Sequence, residues 1–231
     1  MALQTNLLAY YKMEGNSNDA TADGYNGTDT AITYGASYGK INEGANFNGT
    51  TSLINLPVIM PNNTTDRTYA GWVNVGSFVA NAVIQGSNPQ GEGETYVELT
   101  STSFQWIVNT ASGYFTLTDP TSRSTGTWYH LGCVVQPASN SMTLYVNGVS
   151  VASGNLSGNT SIKTTTGTWY ARFGANIQST PGAYLTGDID EWGCWDRALS
   201  ASEISTLYNG GSGITYPFPT SFGSFFLFFN V

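Results

Sequence analysis

Short apolar runs recur along the chain at spacings near ten residues, and this rhythm constrains the fold more than any other feature. Four clear runs cover residues 79–85, 95–100, 103–109 and 113–118, and clusters of Gly, Asn and Ser separate them. Such runs, divided by turn residues at this spacing, are typical of antiparallel β-sandwiches and barrels. The sequence therefore predicts an all-β fold, and a length of 231 residues suits one sandwich.

The end of the chain carries the one convincing helix signal. Residues 187–210 begin with strand-like alternation and then change to a helical period. Ser200 is the predicted N-cap, Glu203 completes a capping box, and Gly210 is the predicted C-cap. We expect a strand, a tight corner and one short C-terminal helix.

Two other segments predict strand faces and turns. In residues 68–75, alternation places Tyr69 and Val73 on one face and Trp72 on the other, where Trp72 is either a core residue or a platform for a sugar. The dipeptide Asn147-Gly148 joins two alternating runs within residues 142–152. Asn-Gly accepts the positive φ angles of a type I′ turn, so this segment predicts a β-hairpin.

Composition narrows the classes of partner. Only 10% of residues are charged, the formal net charge is −8, and the seven basic residues are spread singly along the chain. A nucleic-acid-binding protein would show a clustered basic surface instead. A weakly charged polar surface suits neutral partners such as sugars, and acidic loops suit divalent cations, although solvated loops explain most of the acids equally well.

The remaining chemistry-bearing residues indicate structural roles. Cys133 and Cys194 lie in apolar runs, as free buried thiols or as one buried disulfide. His130 is the only histidine and has no evident catalytic partner, which favours a structural role. The N-terminus lacks the basic and apolar regions of a secretory signal, so the sequence predicts either a lost leader or export by assembly into a larger particle. We expect no membrane insertion.

Five blocks of sequence follow one another along the chain: YYKMEGNSNDATADGYNGT, INEGANFNGTTSLINL, GTWYHLGCVV, LYVNGVSVASG and GDIDEWGCWDRALSASEISTLYNGG. They resemble the successive blocks of the laminin-G-like domains of the concanavalin A-like lectin/glucanase superfamily. The order and spacing of the blocks match along most of the chain. The resemblance implies an antiparallel jelly-roll β-sandwich with a concave and a convex sheet, in which the first and last strands are neighbours.

The resemblance also implies a structural calcium ion where the N-terminal and C-terminal segments meet. Asp19 matches the acidic position of the early loop, Asp190 matches the aspartate of the final strand, and Glu14 is a third possible ligand. Asp23 departs from the family pattern. Asn and Asp also dominate turns because they cap their own backbone, so the acidic loop has an ordinary explanation as well.

A glycan hydrolase is the less favoured interpretation of the same resemblance. The hydrolase branch places Glu, Asp and Glu at alternate positions of one strand, whereas here Asp188 and Asp190 share a face and Glu191 points away. Glu92 and Glu94 lie in a Gly-rich loop and do not reproduce the pattern either. Hydrolysis needs two carboxylates that flank one bond. The sequence therefore predicts a non-enzymatic domain.

Sugar binding is the favoured interpretation, because sugar rings stack on aromatic side chains while polar groups bind their hydroxyls. We expect Trp128 and Trp192 in the core, and Asn88, Gln90 and Glu94 at the rim of a site. The predicted sugar-binding aromatics are Trp72, Tyr96, Trp106 and Trp169.

A Phe-rich tail, residues 217–231, follows the predicted domain of residues 1–216. Its phenylalanines would bury against sister subunits, or dock into a larger particle, or pack on their own domain; they are Phe222, Phe225, Phe226, Phe228 and Phe229. The sequence thus predicts a glycan-binding component of a bacteriophage virion surface or fibre. A secreted or cell-surface lectin module and a structural decoration protein are the alternatives.

Overall fold

The computed structural model of the protein describes residues 3–57, 64–87, 94–163 and 171–219. The described residues form fifteen strands and one α-helix, with 3-10 turns at Ala36–Tyr38 and Asn209–Gly211. In chain order they are β1 (Leu7–Tyr11), β2 (Thr28–Thr30), β3 (Thr33–Gly35), β4 (Gly44–Asn48), β5 (Leu53–Leu56), β6 (Arg67–Val75), β7 (Val83–Ser87), β8 (Thr95–Leu99), β9 (Phe104–Thr110), β10 (Gly113–Thr118), β11 (Trp128–Gln136), β12 (Ser141–Val146), β13 (Val149–Gly154), β14 (Ala171–Phe173), β15 (Thr186–Trp195) and α1 (Ala201–Tyr208).

The strands form two sheets that pack as a sandwich. The first sheet has the order β13-β12-β11-β6-β15-β4-β3, with β1 also paired to β15, and the second has the order β10-β9-β8-β7-β14-β5-β2. The strand pairs are antiparallel, and β1 lies against β15 with Tyr10 opposite Gly193. The predicted antiparallel all-β sandwich, with its first and last strands adjacent, is confirmed.

The central strands of the first sheet are buried on both faces. Along β6, Tyr69 and Val73 pack into the core between the sheets, while Ala70 belongs to a second apolar cluster on the opposite side. That second cluster combines residues of the first sheet with residues of the N-terminal segment, of α1 and of the segments on either side of α1: Leu3, Leu7, Tyr10, Ala70, Val134, Trp195, Leu199, Ile204, Leu207 and Phe218. This layer explains why the central strands are buried at almost every position.

Helix α1 begins as the sequence predicts. The Ser200 hydroxyl accepts a hydrogen bond from the Glu203 N–H, and the Glu203 carboxylate accepts one from the Ser200 N–H, which completes the capping box. Arg197 forms an ion pair with the same carboxylate at 2.7 Å. The C-cap is one residue earlier than predicted, at Asn209, and both Asn209 and the following Gly210 have left-handed backbone angles. Asparagine and glycine are the residues that tolerate this region best.

Other local predictions can be compared directly. Asn147 and Gly148 have φ angles of 52° and 78°, as a type I′ hairpin turn requires. Cys133 and Cys194 are both free and buried. None of the helices in the described ranges is long and apolar enough to cross a membrane.

The compact unit includes Phe218, two residues beyond the predicted domain boundary. Its ring lies 5.2 Å from that of Tyr10, and its carbonyl accepts a hydrogen bond from Gln4 Nε2 at 2.6 Å. The predicted assembly residues Phe222, Phe225, Phe226, Phe228 and Phe229 lie outside the described residues.

Candidate functional site

The outer face of the second sheet contrasts with that of the first. On β10, Tyr114, Thr116 and Thr118 are exposed, whereas Leu117 faces the core. On β8 and β9 the outward side chains are partly exposed, apart from the buried Asn109 at the end of β9. This face is therefore the accessible broad surface of the sandwich, and it consists of tyrosines, amides, hydroxyls and carboxylates.

Cross-strand pairing arranges these side chains in three rows. Residues directly opposite in an antiparallel ladder share a face, with Cβ atoms about 5 Å apart. The rows, read from β8 to β10, are Glu94, Asn109 and Tyr114; Tyr96, Ile107 and Thr116; and Glu98, Gln105 and Thr118. We call this nine-residue surface the platform.

Glu94 fixes the first two rows. Its Oε1 accepts hydrogen bonds from the hydroxyls of Tyr96 at 2.6 Å and Tyr114 at 2.9 Å, and its Oε2 accepts one from Asn109 Nδ2 at 2.8 Å. Glu94 itself is only 5% exposed, whereas Tyr114 is 62% exposed. One buried carboxylate thus orients two tyrosine rings, and one of those rings is open to solvent.

The same arrangement keeps both phenols neutral. Partial burial and the hydrogen bond to Glu94 raise the pKa of Tyr114 to about 12. Burial, followed by the same hydrogen bond, raises the pKa of Tyr96 above its usual value. The platform therefore presents neutral aromatic rings at physiological pH.

A loop forms a wall on the β14 side of the platform. Arg172 Nη1 donates to the carbonyls of Asn176 and Gln178 at 2.9 and 2.6 Å, which holds the loop after β14 over the sheet. Gly86 makes room for it, because a Cβ at that position would lie 2.5 Å from Ile177 Cγ2. Tyr96 lies across the ladder from Gly86, so the second row runs up to this wall.

The predicted sugar-binding aromatics fall into three groups. Tyr96 lies on the platform. Trp106 is fully buried and Trp72 is 2% exposed, so neither offers a face to a sugar. Trp106 packs edge-on against Tyr69 between the sheets, whereas Trp72 lies on the other side of the first sheet. Trp169, like the predicted rim residues Asn88 and Gln90, lies outside the described residues.

The burial of Trp72 has a clear structural cause. Its ring lies 5.2 Å from His130 and 5.8 Å from Tyr208 at the end of α1, with the Lys40 ammonium 4.7 Å from the ring centroid. His130 is buried, and burial lowers its pKa to about 3, so it is neutral at physiological pH. This agrees with the predicted structural role of His130.

The sequence reasoning missed Tyr114 and Asn109. The alternation in GYFTLT contains the signal for Tyr114, because Phe115 and Leu117 point inward and leave Tyr114, Thr116 and Thr118 on the outer face. Asn109 carries no such signal. Its role depends on a cross-strand position beside Glu94 that only the register defines.

The structure separates the three predicted calcium ligands into two places. Glu14 accepts hydrogen bonds from Asn42 Nδ2 and the Glu43 N–H, and Asp190 Oδ2 accepts from the N–H groups of Lys40 and Ile41, both at 2.8 Å. These two carboxylates therefore bind one turn, residues 40–43.

Asp19 acts elsewhere, within the early loop. Its two oxygens accept hydrogen bonds from the N–H groups of Tyr10, Thr21 and Tyr25 and from the Thr21 hydroxyl, which leaves it saturated by donors. Across the described ranges, no group of three acidic, histidine or cysteine side chains is arranged to hold a metal ion. The three residues do not fit one ion, and calcium binding stays a prediction.

Burial also perturbs the acids of β15. Asp190 Oδ1 is buried without a hydrogen-bond partner, and the buried Glu191 carboxylate lies beside the hydroxyls of Thr215 and Tyr10. Burial raises the pKa of Asp190 to about 8 and that of Glu191 to about 7. Asp188, in contrast, accepts hydrogen bonds from Asn46 and Asn74. The three carboxylates of β15 therefore lie in three different environments within the fold.

A two-sheet sandwich with one polar, aromatic face open to solvent is the architecture of lectin-like binding domains. A sequence profile of the Concanavalin A-like lectin/glucanases superfamily matches residues 48–205. The chain belongs to this superfamily, within its laminin-G-like group. No curated protein sequence matches the chain.

Solved structures with the same fold include several binding domains. Domain 4 of AbnA, a GH43 extracellular arabinanase from Geobacillus stearothermophilus solved with arabinotriose, is 22% identical with a TM-score of 0.67, over 87% of this chain and 97% of that one. The binding domain of Paraclostridial Mosquitocidal Protein 1 is 18% identical with a TM-score of 0.69, over 90% and 52%. The Botulinum Neurotoxin serotype G binding domain is 13% identical with a TM-score of 0.65, over 88% and 50%. The chain spans about half the length of the two toxin domains, and at these identities the likeness shows the fold.

Proposed function

We propose that the protein is a non-enzymatic carbohydrate-binding domain and that the platform on the second sheet is its glycan site. The observation that carries the proposal is the exposed Tyr114 ring, held by buried Glu94 beside Tyr96. A preset aromatic ring stacks on the C–H face of a sugar with little loss of side-chain entropy. The amides and hydroxyls of the neighbouring rows supply hydrogen bonds for sugar hydroxyl groups.

The placement of the acids supports binding rather than hydrolysis. Glycosidases hold two carboxyl groups about 5 to 9.5 Å apart on either side of the scissile bond. Glu94 and Glu98 are the carboxylates of the platform, and four residues of strand place their backbones about 13 Å apart. Both oxygens of Glu94 are also occupied by hydrogen bonds from the protein.

The experiment compares Tyr114→Ala with the wild type in titration calorimetry. Arabino-oligosaccharides are the first ligands because the similar arabinanase domain was solved with arabinotriose, and a glycan array extends the search. We expect at least a tenfold loss of affinity, which corresponds to about 1.4 kcal/mol. The control is Val149→Ala, which removes a 66% exposed side chain from β13 of the other sheet. Equal affinity of the Tyr114 variant and the wild type would contradict the proposal.

We further propose that this binding serves adhesion at a virion or cell surface. The weakly charged polar composition and the Phe-rich sequence at residues 217–231 support this setting. Particle association is the test: the protein should co-sediment with virions or with surface-exposed complexes. A monomer recovered only free in solution would contradict the proposed setting and leave the glycan site untouched.

A further inference from the structure

Glu98 is the one member of the platform's third row that carries a charge, and no described residue pairs with it. It lies opposite Gln105 on β9, and Gln105 Nε2 donates instead to the Thr118 hydroxyl at 3.0 Å. Among the described residues no hydrogen bond or ion pair to the Glu98 carboxylate is formed. The side chain is half-buried, and this burial raises its pKa. Glu98 therefore presents free acceptor oxygens in a partly dehydrated position.

The cations around the platform do not neutralise it. Arg172 lies in the row of Tyr96, two strands away, but its Nε donates to Asn55 Oδ1 at 2.6 Å and its Nη1 holds the loop carbonyls. Lys163 is exposed at the end of the first row, where its backbone pairs with Glu94 and Asn109. Within the described ranges no ion pair links Lys163 to either glutamate. The platform therefore carries two carboxylates, on a chain with a net charge of −8.

We propose that the platform selects uncharged glycans over glycans that carry carboxylate or sulfate groups, and that Glu98 is the residue that sets this selection. This inference rests on the proposed glycan site. The hydroxyl groups of a neutral sugar can donate to the free oxygens of Glu98, and a hydrogen bond to a charged acceptor is stronger than a neutral one. An anionic sugar brings a like charge beside Glu98 in the third row, whereas the exposed Lys163 lies at the end of the first row, about 13 Å away along the strands.

The test is affinity electrophoresis in gels that contain matched polymers: galactan against polygalacturonate, and dextran against dextran sulfate, with arabinan as a further neutral probe. At about 0.02 M salt we expect at least one neutral polymer to retard the wild-type protein, with binding to its anionic counterpart at least tenfold weaker. The Glu98→Gln variant should lose affinity for the neutral polymer. The ratio of its affinity for the neutral polymer to its affinity for the anionic polymer should be at least threefold smaller than that of the wild type. Asp23→Asn is the matched control, since it makes the same change of net charge at an exposed loop position.

Salt gives a second readout. The Debye length falls from about 30 Å at 0.01 M salt to about 3 Å at 1 M, so charge repulsion is screened while hydrogen bonds and stacking remain. Binding of anionic polymers by the wild type should therefore increase relative to neutral ones as salt rises, and the Glu98→Gln variant should show a smaller increase.

The outcomes separate the two proposals. Equal wild-type binding of a neutral polymer and its anionic counterpart overturns the charge selection and leaves the glycan site standing. If the ratio of neutral to anionic affinity is unchanged in Glu98→Gln, or changes equally in Asp23→Asn, Glu98 is not the residue that sets the selection. Retardation by none of these polymers, together with no binding on the glycan array, overturns the glycan site and this inference with it.

Discussion

Replacing Asp190 by asparagine should make the folded domain more stable than the wild type at alkaline pH. The Asp190 side chain is fully buried, its Oδ2 accepts two backbone hydrogen bonds from the turn at residues 40–41, and its Oδ1 has no partner. Burial is the main cause that raises the pKa of Asp190 from 3.8 to about 8, and the neighbouring Glu191 adds to it. An asparagine can keep the two accepted hydrogen bonds without carrying the charge.

The sign and size follow from proton linkage. A carboxyl group whose pKa is higher in the folded state binds more protons when folded. Its contribution to the free energy of unfolding is therefore complete below pH 4 and is lost as pH rises towards 8. Roughly four pH units at about 1.36 kcal/mol each give a cost near 5 kcal/mol by pH 8. The new amide N–H₂ has no acceptor in place of Oδ1, which costs about 1–3 kcal/mol at every pH. The variant should therefore gain about 3 kcal/mol over the wild type at pH 8.

The assay is urea unfolding followed by tryptophan fluorescence at pH 5, 6.5 and 8, with the unfolding free energy of the variant minus that of the wild type as the measured quantity. Titrating groups that do not interact with Asp190, such as His130, act in both proteins and cancel in this difference, whereas the coupled Glu191 contributes to it. Asp23→Asn is the control, since it makes the same change of side chain at an exposed loop position.

The same measurement tests the calcium prediction. A calcium ligand at Asp190 would give a different result. Calcium would raise the unfolding midpoint of the wild type but not that of Asp190→Asn, and the variant would be the less stable protein at pH 8. This result would refute the prediction that Asp190 is a buried acid without a metal ion.

Three further predictions concern stability. Gly71→Ala should cost about 2 kcal/mol or more in urea unfolding, because a Cβ there would lie 2.5 Å from the Trp192 ring and 2.8 Å from its backbone. Ser200→Ala should cost about 1 kcal/mol by removing the hydroxyl that caps the Glu203 N–H, and an unchanged midpoint would show that the cap contributes nothing. His130→Phe should reduce the loss of stability between pH 6.5 and pH 4, because a buried imidazole whose pKa is lowered to about 3 binds its proton only on unfolding; an unaltered pH profile between the two proteins would contradict this.

Local sequence signals predicted the elements that depend on backbone chemistry. Asn147 and Gly148 form the predicted turn because few other residue pairs accept two consecutive positive φ angles. The capping box of α1 was readable because Ser200 and Glu203 satisfy each other's N–H groups within four residues. These features need no knowledge of the rest of the fold.

The aromatic site was harder to predict because side-chain exposure depends on which layer lies over each sheet. Alternation correctly placed Trp72 away from the core between the sheets, but α1 and the segment after it cover that face. Trp106 was misassigned because Gln105 and Ile107, not Trp106, point outward from β9. Whether such an aromatic ring is exposed depends on the layer that covers its sheet and on the strand register. Neither can be read directly from a single sequence.

The two sheets differ in what covers their outer faces. Residues 3–10, α1 and Phe218 cover the central part of the first sheet, and the ring of Trp72 packs under Tyr208 and Lys40. The second sheet keeps its outward tyrosine on β10 exposed. Glu94 is the residue that makes this exposure useful, because an exposed tyrosine with a free hydroxyl would rotate among rotamers, whereas the hydrogen bond from Tyr114 to a buried carboxylate fixes the ring. Replacing Glu94 by alanine should therefore weaken glycan binding at the proposed site although the Tyr114 ring is still present, and titration calorimetry beside Tyr114→Ala measures the loss.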